Sequence, residues 1–387
     1  MKLNKDGLDL LVDYFASLDD PRIDRTKKYD MMTIIFIIIF GLGCGVRSWI
    51  GFHDLAVLNQ DWLKCFIDLD SVPSKDTIAR FMRAVDPVKI NECFMNWVQA
   101  AVSSLKGNII PIDGKTIRSA FDACKEKTGL HLVTAWNAQL GLSLGQVQTP
   151  EKSNEITAIP ILLDMLNIDG AIVTIDAMGC QKKIAKKIIE KKGDYYLALK
   201  GNQPETLSMV KSLLDEKYEQ RETFSSSCFF EASPEYGHGR IENRRAFQLP
   251  AVLIPQDLSE WSGLQSVVMV ESERHDPKSK TFATERRYYL SSRPVNAREA
   301  LESIRAHWGI ESMHWQLDVT YHEDMSTIRA GNAAANLNIL TKFVLSALRR
   351  EGKALKLSGP RMQRYFAHTS QIALREKVLF GQPLSEQ

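Results

Sequence analysis

Cysteine is scarce in this sequence, and charge of neither sign predominates. The 387 residues include six cysteines and carry a formal net charge of +2. No two cysteines form a Cys-x-x-Cys pair, so the spacing excludes a zinc finger. With no recognisable signal peptide, the sequence predicts reduced thiols in a cytoplasmic protein. The balanced charge excludes a global basic field, and any surface for a polyanion must therefore be local.

Long hydrophobic segments are also missing. The most apolar stretch, MMTIIFIIIFGLGCGV at residues 31–46, is shorter than the roughly 20 residues that a membrane-spanning helix needs. Its second half is rich in glycine. We expect a buried helix of an N-terminal domain, with a place in a subunit interface as the alternative, and we expect no membrane partner.

What is present describes an ordinary globular protein. Hydrophobic residues make up 44% of the chain and charged residues 25%, and a chain of this length usually forms two or three domains. The changes in pattern along the chain predict five regions. They are a helical domain at residues 1–105, a mixed α/β region at 106–202, a β-rich insertion at 203–297, further helices at 298–350 and a C-terminal tail at 351–387.

Two carboxylates follow strand patterns in the mixed α/β region. Asp113 comes directly after the apolar run at 109–112 and is followed by Gly-Lys-Thr, which suggests a phosphate-binding loop. A Walker A loop needs a glycine at position 109, where this chain has isoleucine, so that interpretation is excluded. Asp176 follows the apolar pattern at 173–175 in the same way. Both acids therefore need another explanation.

Neighbouring strands could place Asp113 and Asp176 at one edge of a sheet. Two such anions repel each other unless a cation lies between them, and Mg²⁺ or Mn²⁺ suits carboxylate oxygens. Glu311, in an apolar and aromatic helical stretch, is the candidate third acid of such a site. The alternatives are that each Asp only caps a turn or a helix, and that Glu311 only pairs with Arg305 or His307.

Four stretches of the chain together resemble a known family. PIDGKTIR, EKSNEITAIPILLDMLNIDGAIVTIDAMGCQ, DYYLALKGNQ and HWGIESMHWQLDV, in this order, resemble the H-repeat-associated insertion-sequence transposases of bacteria, which are DDE transposases. The resemblance covers essentially the whole chain. It implies an α/β fold with an RNase H-like mixed sheet flanked by helices. An N-terminal helical domain would precede this core, and a β-rich insertion would separate its first part at 106–202 from its final helices at 298–350.

The resemblance also implies a function. Asp113, Asp176 and Glu311 would be the catalytic and metal-binding triad, with two Mg²⁺ or Mn²⁺ ions expected when DNA is bound. The implied partners are double-stranded DNA, as terminal inverted repeats and as target, and a second copy of the chain at least in the DNA complex. The helical domain would bind DNA ends or support assembly, and the cytoplasmic protein would join the nucleoid when bound to DNA. Gly114 would let the chain turn close to the metal.

The last helix departs from the pattern Tyr-x-x-Arg-x-x-x-Glu-x-x-x-x-x-x-Lys of related cut-and-paste transposases. When the pattern is aligned on Glu311, the other three positions hold Ile304, His307 and Asp318. The Arg and Lys that contact DNA phosphates in those relatives are therefore absent. This keeps open a catalytically decayed DNA-binding protein derived from a transposase. A metal-dependent nuclease with the same core chemistry is a further alternative.

Basic residues near these motifs are candidate DNA contacts, with ordinary surface charge as the alternative for each. Those near the triad are Lys115, Arg118, Lys200, Arg305 and His307, and those of the insertion are His238, Arg240, Arg244 and Arg245. Ser74 is expected to cap a helix that carries further basic residues. For Trp308 and Trp315, packing in the core is preferred over stacking on an extruded base.

Overall fold

The computed structural model describes residues 12–15, 17–102, 104–117, 129–149, 155–237, 239–254, 258–277, 281–369 and 372–380. The helices are α1 (Met31–Gly43), α2 (Trp49–Leu58), α3 (Gln60–Leu63), α4 (Lys75–Ala84), α5 (Pro87–Ala101), α6 (Glu155–Met165), α7 (Lys182–Glu190), α8 (Pro204–Tyr218), α9 (Ala297–Ala306), α10 (Trp308–Val319), α11 (Ala333–Ala354), α12 (Gly359–His368) and α13 (Ile372–Phe380). The strands are β1 (Ile109–Ile117), β2 (Leu130–Asn137), β3 (Leu142–Thr149), β4 (Ile172–Ile175), β5 (Asp194–Leu199), β6 (Phe229–Glu231), β7 (Glu235–Gly237), β8 (Arg240–Pro250), β9 (Ser266–Asp276) and β10 (Thr281–Ser291).

The described strands form one mixed sheet. Their order is β3-β2-β1-β4-β5-β10-β9-β8-β6, and β7 pairs with β8. Strand β1 is antiparallel to β2 and parallel to β4, and β4 is parallel to β5. Helices pack against this sheet, among them α6 on β2 and β3 and α9 on β8. The mixed α/β fold with an RNase H-like sheet, expected from the sequence, is therefore confirmed.

Strand β4 lies between β1 and β5 in the sheet and is short. All of its residues, 172–175, are buried, because β1 and β5 flank it and helices cover the sheet. A strand that is covered on both faces reads as a continuous apolar run and not as an alternating one. Helix α7 follows, with Ile184, Ala185 and Ile188 buried and lysines between them on its outer side.

The β-rich segment continues the same sheet. Strand β10 runs antiparallel to β5, with Tyr288 opposite Leu199, and β9 and β8 follow in antiparallel order. The insertion predicted at 203–297 therefore shares backbone hydrogen bonds with the predicted core at 106–202. The domain boundaries stay predictions, since the sheet crosses the one placed at residue 202.

Helices α1, α4 and α5 pack on the long helix α11. Residues 32–43 of α1 are all buried, as expected for the apolar stretch at 31–46. Close approach is possible because a Cβ at Gly41 or Gly43 would collide with the ring of Phe52 or Phe366. Ser74 caps α4 as predicted, since its Oγ accepts a hydrogen bond from the backbone of Thr77 at 3.3 Å. In the described part of the chain, no helix has the length and apolarity needed to cross a membrane.

Candidate active site

The sheet brings Asp113 and Asp176 side by side. Ile112 of β1 pairs with Ile175 of β4 in parallel register, and each acid is the next residue of its chain. Because parallel neighbours run in the same direction, both carboxylates reach the same edge of the sheet. The predicted adjacency of these two acids is confirmed.

Asp176 also caps the turn that follows it. Its Oδ1 accepts hydrogen bonds from the backbone amides of Met178 at 3.1 Å and Gly179 at 3.4 Å. The capping interpretation is therefore correct as far as it goes. Both bonds use Oδ1, so the cap orients the carboxylate without engaging its second oxygen. Burial raises the pKa of Asp176, and the negative charges of Asp113 and Glu155 raise that pKa further.

The pKa of Asp113 is shifted in the opposite direction to that of Asp176. Burial would raise its pKa, but the hydrogen bond with His314 and the charges of His314 and His307 outweigh burial and lower the pKa. The Nδ1 atom of His314 lies 3.4 Å from Asp113 Oδ2. One feature of the sequence points to this residue: His314 is three positions after Glu311, a spacing that puts both on one side of a helix.

A cleft of about 460 Å³ joins the three predicted acids. Asp113, Asp176 and Glu311 all line it. Glu311 is exposed in the first turn of α10, where the helix dipole favours a carboxylate. The remaining charged or aromatic side chains around the cleft include Lys200, Lys211, Arg286, Arg287, His307 and Trp308. The three predicted acids, a fourth carboxylate (Glu285) and several cations therefore line one space.

His307 is largely enclosed within this cleft. Its Nδ1 lies 3.0 Å from the hydroxyl of Thr174 on β4. Burial lowers the pKa of His307, although the charges of Asp113, Glu311 and Asp176 oppose that effect. The imidazole is thus held against the sheet, between the strand that ends at Asp176 and the helix that carries Glu311.

The donor set suits a hard divalent cation. Carboxylate oxygens are the ligands that Mg²⁺ and Mn²⁺ prefer. Asp113 and Asp176 repel each other, and a cation between them would remove that repulsion. Among the residues that the structure describes, no three His, Cys, Asp or Glu side chains are grouped closely enough to hold a metal ion. The chemistry of the three acids therefore fits a metal better than their present spacing does.

Lys115 is engaged inside the protein. Its ammonium lies 2.6 Å from Asp318 Oδ1 and 2.7 Å from Glu323 Oε2, and its side chain is mostly buried. The lysine thereby joins β1 to the end of α10 and to the turn after it. This arrangement does not favour the DNA contact predicted for Lys115, because two carboxylates already neutralise its charge.

Arginines of the insertion are paired with glutamates. Arg244 contacts Glu235 at 2.8 Å and also Glu242, whereas Arg245 contacts the carboxylates of Glu231, Glu271 and Glu273. As consecutive residues of one strand, the two arginines project from opposite faces of the sheet. The predicted basic patch is therefore divided, and its role in DNA binding stays a prediction.

The other predicted contacts have varied surroundings. Arg305 is bound by Glu235, with contacts of 2.6 Å and 2.7 Å to its two oxygens. Arg240 is exposed at the start of β8, and Lys200 is exposed directly after β5. Arg118 and His238 lie outside the described residues.

Two tryptophans do not pack in the core. Trp308 is 44% exposed and Trp315 is 58% exposed, and Trp308 lines the cleft. The preference for core packing is therefore wrong for both. Helix α10 turns the face with Ile310, Met313 and Leu317 to the interior, and the tryptophans lie on its other sides.

Comparisons with known proteins give a consistent result. The family model described as "Transposase DDE domain" matches residues 104–346, and the model described as "DDE_Tnp_1-associated" matches residues 12–98. "Putative transposase YncI" of Escherichia coli O157:H7 is 37% identical over 383 residues, which cover 94% of this chain and 96% of that protein. "H repeat-associated putative transposase YhhI" of E. coli strain K12 is 36% identical over 358 residues, or 88% and 93% of the two chains. A solved piggyBac transposase synaptic complex with hairpin DNA aligns with a TM-score of 0.43 and 11% identity over 99% of this chain and 84% of that one, too weak a similarity to carry an argument.

Proposed function

The chain belongs to the family of transposases with a DDE domain, and from this premise we propose that it cleaves DNA at the ends of an insertion sequence and joins those ends to target DNA. The observation that supports this proposal most directly is the common cleft of Asp113, Asp176 and Glu311. Three carboxylates in one space, on a mixed sheet and an adjoining helix, suit metal-assisted phosphoryl transfer.

In the proposed site, the three acids hold divalent cations. The DDE transposase domain generally implies the use of such a metal, and we expect Mg²⁺ or Mn²⁺, with two ions when DNA is bound. Bound metal would supply an activated water and stabilise the leaving oxygen. The chain's own task is to fix the ligands: the amides of Met178 and Gly179 orient Asp176, and His314 holds Asp113.

The proposed reaction has two in-line displacements. In the first, a water oxygen forms a bond to phosphorus at the element end, the bond between phosphorus and the 3′ oxygen breaks, and that oxygen takes up a proton. In the second, the freed 3′-OH attacks a phosphodiester of target DNA, its proton passes to solvent and a target 3′ oxygen leaves. No side chain becomes covalently attached, so positioning and charge carry the catalysis.

The proposed assembly follows from the reaction. Two element ends have to be held together for joining, so we propose at least a homodimer in the DNA complex. Double-stranded DNA, as terminal inverted repeats and as target, is the partner of that complex. The helices at 1–105 are proposed to recognise the ends or to support assembly.

Nicking of the element ends tests the proposal. The substrate is a duplex that carries the inverted repeats flanking the gene, incubated with the full chain and Mg²⁺. We expect the wild type to nick this duplex at the repeat boundary and Asp176→Asn to lose nicking. Asp169→Asn is the matched control, because Asp169 is an exposed residue of the turn before β4, and it should behave like the wild type.

The possible outcomes separate the alternatives. Equal nicking by the wild type and Asp176→Asn would refute the assignment of the triad. Specific binding of the repeats without nicking would favour a decayed, DNA-binding transposase. Cleavage of unrelated DNA or RNA at the same rate as the repeats would favour a general metal-dependent nuclease.

A further inference from the structure

One wall of the cleft is formed by the three acids and helix α10, and this helix carries no lysine or arginine. Helix α10, which carries Glu311, reads WGIESMHWQLDV and has neither residue. Lys115, which reaches the end of this helix from β1, is bound by Asp318 and Glu323. A DNA strand that approached the three acids would bring several phosphates into this space, and α10 offers no fixed positive charge to hold them.

Another part of the cleft lining, which we call the lysine wall, supplies positive charge. Lys200 follows β5 directly, and Lys211 lies in the middle of α8; both are exposed and both line the cleft. Within the described ranges, neither ammonium forms a hydrogen bond or an ion pair. Arg287 on β10 lines the same wall but is bound by Glu285 at 2.7 Å. Arg286 also lines the cleft and is bound by Asp215 and Glu271. The two lysines are therefore the described cations of this wall without a hydrogen bond or an ion pair, although the pKa of Glu285 is lowered by Arg287 and, to a smaller extent, by the charge of Lys200.

The backbone that carries the lysines is fixed to the acidic edge. Asn202 Nδ2 donates to the carbonyl of Ala177 at 2.6 Å, and Gln203 Nε2 donates to the carbonyl of Cys180 at 3.0 Å. These bonds connect the turn after β5 to the turn after Asp176, and α8 begins at Pro204, directly after them. The distance between the lysine wall and Asp176 is thus set by the fold, while the long side chains stay free to adapt.

The occupant that fits both walls is a nucleic acid strand. The acids need divalent cations to accept a phosphate, whereas phosphates on either side of it need direct neutralisation, which Lys provides as a mobile point charge. The volume of about 460 Å³ is in the range of small-ligand clefts and so accommodates part of a strand and not a whole duplex.

We propose that Lys211, together with Lys200, binds the backbone phosphates next to the phosphodiester that is cleaved. The inference rests on the proposed transposase function, and it assigns to α8 a part of the DNA site that the sequence motifs did not reveal. The lysines position the strand; they do not take part in bond breaking.

Salt dependence of DNA binding tests this assignment. Binding of the inverted-repeat duplex is measured without divalent metal, so that no cleavage occurs, over a range of KCl concentrations. Each phosphate contact contributes about 0.9 to the slope of log K against log salt. This slope is negative, and Lys211→Gln should reduce its magnitude by about 1 and the double variant with Lys200→Gln by about 2. Lys211→Arg should keep the wild-type slope.

Lys217→Gln is the matched control. Lys217 lies on the same helix as Lys211 but does not line the cleft, and it pairs with Glu216 at 2.9 Å. The slope of log K against log salt for Lys217→Gln should therefore equal that of the wild type. Unchanged slopes for Lys211→Gln and the double variant would overturn the inference, even if Asp176→Asn abolishes nicking and so supports the transposase function. Equal losses for Lys217→Gln and Lys211→Gln would overturn it too, because they would indicate a general effect of surface charge. If the wild type does not nick the repeats, the proposed function fails, and the slopes still decide whether the lysine wall binds DNA.

Discussion

The imidazole Nδ1 of His314 lies 3.4 Å from Oδ2 of Asp113, and this contact joins the helix of the third acid to the strand of the first. His314 follows Glu311 by three residues on α10, so the same helix presents an acid to the cleft and a hydrogen-bond donor to another acid. Because one histidine contacts Asp113 and belongs to the helix of Glu311, we propose that it helps to set the distance between the two carboxylates. It is a positioning residue in the proposed site.

Replacing His314 should therefore weaken metal binding more than folding. Groups that orient a metal ligand typically change affinity by about 10- to 100-fold, so His314→Ala should raise the Mn²⁺ concentration for half-maximal nicking by at least tenfold. Direct titration of Mn²⁺ binding should show the same shift. His368→Ala, at the exposed end of α12, is the control. An unchanged Mn²⁺ affinity for His314→Ala would contradict the positioning role.

The ion pairs of Lys115 predict a loss of stability. Lys115→Met leaves the carboxylate of Glu323, which is only 11% exposed, without the ammonium at 2.7 Å. Breaking a buried pair by removing one partner is strongly destabilising, and we expect the free energy of unfolding to fall by about 3 kcal/mol. The measurement is urea unfolding followed by circular dichroism.

A second substitution separates this effect from lost packing. In the double variant Lys115→Met with Glu323→Gln, the more buried of the two carboxylates is removed and only Asp318, which is 36% exposed, loses its partner. Part of the loss in the free energy of unfolding should therefore be recovered. Additive losses in the double variant would show that the ion pair is not the cause.

Some of this site could be predicted because it is local in sequence. Asp113 and Asp176 each follow an apolar run, and parallel strands bring such ends together without any knowledge of side chains. The helical stretch of Glu311 makes this residue a candidate third acid, but only the resemblance to a family assigns it to the triad, because no local pattern relates a helix near residue 311 to strands before residue 177.

Other features could not be predicted because their partners are distant along the chain. Lys115 and Arg245 look like available cations in the sequence, and only the folded chain brings Asp318 to the one and Glu273 to the other. Lys211 has no motif around it, since its place in the cleft depends on how β10 and α8 pack beside β5. Trp308 was misassigned because helical periodicity gives an apolar face but does not give the width of that face.

The buried ammonium of Lys342 predicts a pH dependence of stability. Lys342 on α11 donates to Thr134 and Gln146, and burial lowers its pKa from 10.5 to about 7. Between pH 7 and 10.5 the unfolded chain therefore binds a proton at this lysine that the folded chain does not. Stability then rises with pH, by at most about 1.4 kcal/mol per pH unit.

Comparison with a variant isolates this contribution. Lys342→Met removes the titrating group, so the free energy of unfolding of the wild type minus that of the variant should increase from pH 7.5 to pH 9.5. Urea unfolding at the two pH values measures it. Lys353→Met, on the same helix but exposed, should show no such increase, and parallel pH curves for wild type and Lys342→Met would contradict the prediction.

Gly114, the residue after the first acid, gives the last prediction. The expectation that it lets the chain turn beside a metal is wrong, because β1 continues as a strand from Ile109 to Ile117. A Cβ at Gly114 would instead lie 2.3 Å from Glu155 Oε1 and 2.9 Å from His131 Nε2. These two buried groups contact each other at 2.8 Å, so neither can move away without breaking the pair.

Gly114→Ala should therefore destabilise the protein and displace Asp113. Overpacking of this kind costs about 2 kcal/mol, and a shift of the neighbouring strand backbone should reduce nicking more than the loss of folded protein explains. Gly237→Ala is the matched control, because no atom lies within 4 Å of a Cβ at that position and the residue does not line the cleft. Its stability should stay within about 0.5 kcal/mol of the wild type. Urea unfolding and nicking are measured on the same preparations. Wild-type stability in Gly114→Ala would mean that Glu155 and His131 move aside without cost. The close packing around Gly114 would then not contribute to the position of Asp113.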